Sequence, residues 1–326
     1  MALPQAWITE QWRSDRWRAA PWDIVGAGSI GCLFAAYLRR AGIDVQLLLR
    51  DAASLALWQR NAGIGLQRID REEIVAVPAV AAAQVSTPIR KLLVCTKAHH
   101  TRAAIAALQT AIEPDALVIL LQNGMGVYEQ IAELLPTATI LHGLSTEGAY
   151  QTERFHIVHA GRGETVIGAR RPEQQPWAQA AGAELRCELP IIAVDNIGER
   201  LWQKLAVNSV INPLTALHGC RNGELLQLPD IDLLLPALCA EVCAVANADG
   251  QILNFQELVD NVRRVCVITA HNRSSMLQDI SQRRRSEIDF INGYILQRAA
   301  QHGLSCPQQR ALFDRLKTLE QALGCR

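Results

Sequence analysis

The chain has 326 residues, 49% of them hydrophobic and 20% charged, with 32 basic against 32 acidic side chains. Such a length suits two domains of ordinary size, and the composition excludes disordered and fibrous classes. Balanced charge leaves no electrostatic footprint for nucleic acid or an anionic membrane, and no uninterrupted apolar run nears the roughly 20 residues of a spanning helix. These features predict a cytoplasmic protein that acts on a small molecule, without nucleic-acid or membrane partners; a monomer or homodimer is expected, although composition does not decide between them.

Residues 1–21 form an extension in which Trp7, Trp12 and Trp17, with Trp22 just beyond, recur every five residues. That step matches neither helix nor strand, so a frayed or loosely docked arm is expected. From 22 to 195, short apolar runs alternate with helical stretches, the pattern of a doubly wound α/β domain with a parallel sheet. Strands are predicted at Trp22–Val25, Asp44–Leu49, Ile74–Val77, Leu92–Thr96, Leu117–Leu121 and Thr139–Leu144, and helices at Ser29–Ala41, 101–111 and 126–135. Phe155–His159, Glu164–Gly168 and Leu185–Leu189 read as further strands of the same sheet around a helix at 173–183. From 196 to 326 the spacing is helical throughout, with breaks at Gly219, Pro229, Pro236, Gly250, Gly303 and Pro307. A Rossmann-type domain followed by an all-helical domain is the expected architecture.

Nine cysteines occur without a Cys-x-x-Cys pair. They read as reduced, buried thiols, and no metal site is expected, since Cys239 and Cys243 lack companion ligands although they share a helix face. Only four basic residues are lysines, at 91, 97, 204 and 317. Lysine can release a proton when its pKa is lowered, which arginine cannot do at working pH.

Gly26, Ala27, Gly28, Ser29, Ile30 and Gly31 match a dinucleotide fingerprint. The first glycine makes a tight turn, the second admits pyrophosphate to the backbone, and the third lets helix pack on strand. A strand precedes the motif and a helix follows it, so amides at a helix N-terminus face the ligand. Arg50, at the end of the second strand, favours a 2′-phosphate and hence NADP, whereas neighbouring Asp51 keeps an NAD reading open. Lys97 and Asn123 follow two further strands and point to the same cofactor, each equally compatible with turn chemistry. Lys204, Asn208 and Asn212 stand at i, i+4 and i+8, which aligns an ammonium and two amides on one helix face suited to an anionic carbonyl compound. A helix predicted from about 273 to 302 starts beside Asn272, Arg273, Ser274 and Ser275 and carries Glu287. Asn272 or Ser274 could cap it, or these groups could hold a carboxylate. Arg283, Arg284 and Arg285 read as a solvated charge run.

Taken together, the glycine motif, Lys97, Gln-Asn-Gly-Met-Gly at 122–126, Leu-Trp-Gln-Lys-Leu-Ala-Val-Asn-Ser-Val-Ile-Asn-Pro at 201–213, Asn-Gly-Glu-Leu at 222–225, Ser-Ser-Met-Leu-Gln-Asp at 274–279 and Glu-Ile-Asp-Phe-Ile-Asn-Gly at 287–293 resemble the ketopantoate reductases. The resemblance runs from about Trp22 to Glu320 and leaves the N-terminal extension without a counterpart. It implies NADPH-dependent reduction of 2-dehydropantoate to (R)-pantoate, on the route to pantothenate and coenzyme A. By the same resemblance Lys204 is the proton donor, and Glu287 lies near the reacting centre and the cofactor. Asn208, Asn212, Asn222, Asn272, Arg273, Ser274 and Ser275, with Asn123 and Lys204, correspond to substrate ligands. Lys97, Asn123, Ala149 and, for the 2′-phosphate, Arg50 correspond to cofactor contacts. Arg273 departs from an often apolar position.

Partial burial is expected to lower the pKa of Lys204, with an ionised Glu287 opposing the shift. The residues leave two rivals: a reductase of another 2-oxoacid on the same scaffold, and an NADPH-binding sensor without catalysis.

Overall fold

The computed structural model describes residues 12 and 14–325. They divide into two compact units, one comprising the chain up to Gln122 with Val127–Ile197, the other Asn123–Gly126 with Gly198 onward. Residues 123–126 thus depart from a single boundary near 195.

In chain order the first unit contains α1 (Asp15–Arg18), β1 (Trp22–Val25), α2 (Ser29–Arg40), β2 (Val45–Leu49), α3 (Ala52–Arg60), β3 (Ile64–Gln67), β4 (Glu72–Val75), β5 (Ala79–Ala81), β6 (Ile89–Val94), α4 (Ala98–Leu108), β7 (Ile112–Leu120), α5 (Val127–Leu134), β8 (Thr139–Ser145), β9 (Gly148–Glu153), β10 (His156–Gly161), β11 (Thr165–Ala169), α6 (Gln175–Glu184) and β12 (Ile191–Ala193). Eight strands form one sheet in the order β12-β11-β8-β7-β6-β1-β2-β5, and four form a second in the order β4-β3-β10-β9. In the large sheet β11 runs antiparallel to β8 and the other neighbours are parallel. Helix α2 packs against strands of both sheets. Its Gly31–Leu38 stretch is accordingly buried on every side, as a helix apolar all round requires.

Several expected elements are relocated. Phe155–His159 contributes to β10 of the second sheet, and the expected strand at Ile74–Val77 overlaps β4 there, while β5 takes the edge of the main sheet. Apolar alternation marks a strand but not its partner, so it could not assign these segments to a sheet. Leu185–Leu189 is not a strand: the Leu185 N–H donates to the Ala181 carbonyl as α6 ends, and the edge strand follows Pro190 as β12. The arm is not loose where it is described. Trp17 is only 2% exposed, and its ring lies 5.3 Å from that of Trp177 and 5.5 Å from that of Trp12. Trp7 lies outside the described residues.

The second unit contains α7 (Ile197–His218), α8 (Ile231–Ala248), α9 (Phe255–Ile268), α10 (Ser275–Ser281), α11 (Asn292–Gln301) and α12 (Pro307–Ala322). Helix α8 is long and apolar enough, by length and composition, to span a membrane. Its buried residues Leu235, Leu238, Val242 and Val245 belong to the helical core, and its Glu241 carboxylate accepts from the N–H groups of Gln308 and Gln309 at the start of α12. Pro236 does not break this helix. Cys239 and Cys243 are buried thiols on it.

The single helix expected from 273 to 302 is broken in two. Arg283 adopts φ 54°, and the Arg284 N–H turns back to the Asp279 carbonyl, so the chain leaves α10 before α11 begins. The arginines here are not merely solvated: Arg284 pairs with buried Asp279 at 3.0 Å and Arg285 with Asp289 at 2.8 Å. Each guanidinium takes a different carboxylate, which fixes the loop that precedes Glu287.

Candidate active site

In the first unit the carboxyl ends of β1, β6 and β7 are level, with Val25 paired to Val94 and Val94 to Leu120. Ligands bind beyond such ends in parallel sheets. Gly26 turns with φ 103°, and a Cβ there would lie 2.5 Å from the Thr96 nitrogen, so the β1 and β6 turns lie back to back. A Cβ on Gly31 would overlap the Gly26 carbonyl oxygen, whereas one on Gly28 would meet nothing within 4 Å. Gly28 precedes the twelve residues of α2, and no side chain caps the helix. Backbone N–H groups at this end therefore face an open cradle, and no acidic residue occupies the first turn to repel an anion. Ala27, Ile30 and half-buried Ala149 of β9 each pack against the core of this unit. Gln151, on the same face of β9 as Ala149, donates to the Ala27 carbonyl at 3.1 Å.

Arg50 directly follows β2 with its side chain 83% exposed, and its Nε donates to Asp51 Oδ2 at 3.0 Å. Asp51 caps α3: its Oδ1 accepts from the Ser54 N–H at 2.7 Å. These hydrogen bonds, first from Ser54 and then from Arg50, hold the Asp51 carboxyl far below the usual range. Its oxygens are thus engaged by protein donors, while the guanidinium stays open to an anion. Lys97 sits half-buried at the end of β6, just before α4, where its carbonyl accepts from the His100 N–H at 2.9 Å and from Thr101 Oγ1 at 3.1 Å. The cradle, uncapped helix end and exposed guanidinium fit the pyrophosphate and 2′-phosphate of NADPH.

The second unit holds the other expected residues. Helix α7 runs 22 residues with Pro213 inside it. Proline has no N–H to give the Ser209 carbonyl four residues earlier. Buried Asn292 supplies the missing donor through Nδ2 at 2.9 Å, and the same amide nitrogen reaches Gln309 Oε1 at 2.6 Å. The helix therefore stays intact across Lys204, Asn208 and Asn212. Lys204 and Asn208 are half-buried, and Asn212 is buried.

Thr215, one turn beyond Asn212, places its hydroxyl 2.6 Å from that of Ser274, which also caps α10 by accepting from the Leu277 N–H at 3.0 Å. Asn222 joins the same segment: its N–H donates to the Asn272 carbonyl at 3.0 Å, and its Nδ2 to Thr269 Oγ1 at 2.8 Å. Asn222 Oδ1 is buried and receives no hydrogen bond within the described protein. A buried acceptor left in this state is costly unless a ligand donates to it. Asn272 and Ser275 are exposed, and Arg273 extends away to Ser281 Oγ at 2.7 Å.

Residues 123–126 lie on the turn that carries Glu287. The Met125 N–H donates to the Phe290 carbonyl at 2.8 Å, and Gly124, with φ 84°, leaves room for that carbonyl where a side chain would not. Asn123 and buried Glu287 thus occupy neighbouring segments. Burial pushes the Lys204 ammonium down to about 8, and the Glu287 carboxylate opposes the shift. An ammonium with a pKa of about 8, under the influence of a carboxylate and on a helix face that carries two amides, can donate a proton to an oxygen that gains negative charge.

Gln151, Thr215 and Asn292, which brace segments of the candidate site through protein contacts, were not legible in the sequence. Only Asn292 had a signal, the proline inside α7 that leaves a carbonyl in need of a donor.

The dinucleotide cradle and the lysine-bearing helical unit define an NADP-dependent oxidoreductase. Residues 22–172 match the model of "Ketopantoate reductase PanE/ApbA", and residues 196–320 that of its C-terminal domain. The chain belongs to the ketopantoate reductase family. It is 35% identical over 311 residues to the 2-dehydropantoate 2-reductase of Vibrio cholerae, spanning 92% of this chain and 97% of that one. It is 32% identical over 293 residues to the enzyme of the same name from Halobacterium salinarum, with 89% and 96% covered. Among solved structures, a PanE/ApbA family ketopantoate reductase from Ralstonia eutropha superposes with a TM-score of 0.82 at 28% identity, covering 94% of this chain and all of that one. A D-mandelate dehydrogenase bound to NADH and anilino(oxo)acetate shares the fold, with a TM-score of 0.88 at 23% identity, covering 93% of this chain and all of that one.

Proposed function

We propose that the chain reduces 2-dehydropantoate to (R)-pantoate, with Lys204 as the proton donor. The observation that carries this reading is the Lys204 ammonium, lowered to about 8, on the helix face that also presents Asn208 and Asn212. NADPH, when bound, supplies the hydride for the keto carbon. As negative charge grows on the keto oxygen, Lys204 Nζ stabilises it and gives up one proton, becoming a neutral amine that regains a proton from solvent. Glu287 accepts a hydrogen bond from a substrate hydroxyl and so orients the carbonyl toward Lys204. Asn208, Asn212 and Ser274 hold the substrate carboxylate, and Asn222 Oδ1 accepts from a ligand hydroxyl. Gly26 to Gly31 take the pyrophosphate, and Arg50 the 2′-phosphate, with Lys97, Asn123 and Ala149 as further cofactor contacts. The protein works in the cytoplasm as a monomer or homodimer, without nucleic-acid or membrane partners.

Purified protein is mixed with 2-dehydropantoate or with other 2-oxoacids, and NADPH and NADH oxidation are followed by absorbance. Rapid NADPH oxidation confined to 2-dehydropantoate and lost in Lys204→Ala is expected. Preference for another 2-oxoacid would move the substrate assignment, and cofactor binding without turnover of any of them would leave a sensor instead.

A further inference from the structure

The second sheet does more than cover α2. Its β9–β10 hairpin meets this helix at two places. On β10, His159 Nδ1 lies 2.8 Å from the Tyr37 hydroxyl in the later part of α2, and His159 Nε2 lies 2.9 Å from buried Glu147. On β9, Gln151 Nε2 donates to the Ala27 carbonyl within the glycine turn, 124 residues away in sequence. The His159 contact fixes the hairpin on α2 independently of Gln151.

Ala27 and Gly28 share one peptide unit. That unit is planar and trans, so its C=O and N–H point in opposite directions. A side chain that fixes the Ala27 carbonyl toward β9 therefore fixes the Gly28 N–H away from it. An added Cβ at Gly28 meets nothing and the residue is exposed where the chain enters α2, so this peptide unit borders open space. Peptide units in glycine-rich turns reorient easily, because glycine tolerates both signs of φ. Without an anchor, the donor would have to be ordered anew each time an anion binds.

We infer that Gln151 is a positioning residue for NADPH: through the Ala27 carbonyl it presets the Gly28 N–H that receives the pyrophosphate. The residue touches neither substrate nor reacting atoms. It acts on cofactor affinity and leaves hydride transfer unchanged.

Gln151→Met keeps the side-chain length and removes the donor, and Gln151→Glu replaces the donor with an anionic acceptor. Equilibrium NADPH binding is measured by fluorescence, alongside 2′-AMP, which carries the 2′-phosphate without a pyrophosphate. Loss of one hydrogen bond of this kind raises the NADPH Kd about fivefold to tenfold in Gln151→Met, and further in Gln151→Glu. The Kd for 2′-AMP, the kcat and the KM for 2-dehydropantoate stay at wild-type values, and the cofactor-free Tm stays within about 2 °C. An unchanged NADPH Kd, an equal loss for 2′-AMP, or a fall in Tm with kcat would overturn the inference. It rests on the cofactor reading above. Wild-type protein that bound no NADPH would sink that reading, whereas full binding by Gln151→Met sinks only the role of Gln151.

Discussion

Arg50 and Asp51 are adjacent and hydrogen-bonded, Nε to Oδ2 at 3.0 Å, yet they have opposite availability. The carboxylate also caps α3 through the Ser54 N–H, while the guanidinium stands largely in solvent. A ribose hydroxyl would have to compete with two protein donors for Asp51, but a 2′-phosphate meets Arg50 directly. Arg50→Gln should raise the KM for NADPH roughly 10- to 100-fold and leave that for NADH nearly unchanged, the size of a lost charge-assisted hydrogen bond. Steady-state kinetics with both cofactors checks this. Equal losses for NADPH and NADH would remove Arg50 from the 2′-phosphate site.

Lys204 must carry a proton to act as donor. Because burial places its pKa at about 8, kcat/KM should fall as pH rises through about 8, well before an ordinary lysine would deprotonate. Glu287 works against the lowering, so Glu287→Gln should move the alkaline limb to lower pH as well as reduce turnover. A limb that stays in place would show that Glu287 does not govern the charge on Lys204.

The same depressed pKa costs stability. At pH 7 Lys204 is protonated in folded and unfolded chains alike, and the folded state bears the full desolvation penalty. Between about 8 and 10.5 the folded chain binds fewer protons, so stability rises with pH. Lys204→Met should therefore abolish turnover yet raise Tm at pH 7, and that gain should shrink as pH approaches 10.5. Thermal unfolding across this range tests the sign.

Gly28 and Gly31 answer to different demands. Gly31→Ala drives a methyl into the Gly26 carbonyl and should lower the cofactor-free Tm. Gly28→Ala enters empty space at φ −85°, so Tm should hold while NADPH binding weakens at least tenfold, because the methyl occupies the ligand's place. Calorimetry and NADPH titration separate the two effects.

Trp17 ties the N-terminal segment to Trp177. Trp17→Ala should cost about 3 kcal/mol of stability with kcat unaltered, since it removes a buried indole that packs on Trp177 and is none of the candidate site residues. Wild-type stability in this variant would return the segment to the status of a loose arm.

Much of the candidate site could be read from consecutive residues. The glycine motif, Arg50 at a strand end and the Lys204, Asn208, Asn212 spacing depend on local geometry that repeats along a helix or ends a strand. The element positions were less legible where local pattern allows more than one partner. Ile74–Val77 and Phe155–His159 read as strands, but pairing with β3 drew β4 and β10 into a second sheet. The break at Arg283 was hidden because Arg283 adopts a left-handed conformation without a glycine to announce it.

By itself, then, the sequence determined the chemistry of the groups and their spacing within each element, since backbone hydrogen bonding imposes those periods on any chain. Tertiary structure alone decided which distant groups complete them. Gln151 reaches Ala27 across 124 residues, and Asn292 replaces across 83 residues the N–H that Pro213 cannot give. Such partners share no period or motif with the groups they serve. They meet because apolar packing brings their elements together, and the buried carbonyl then needs whichever donor lies within reach.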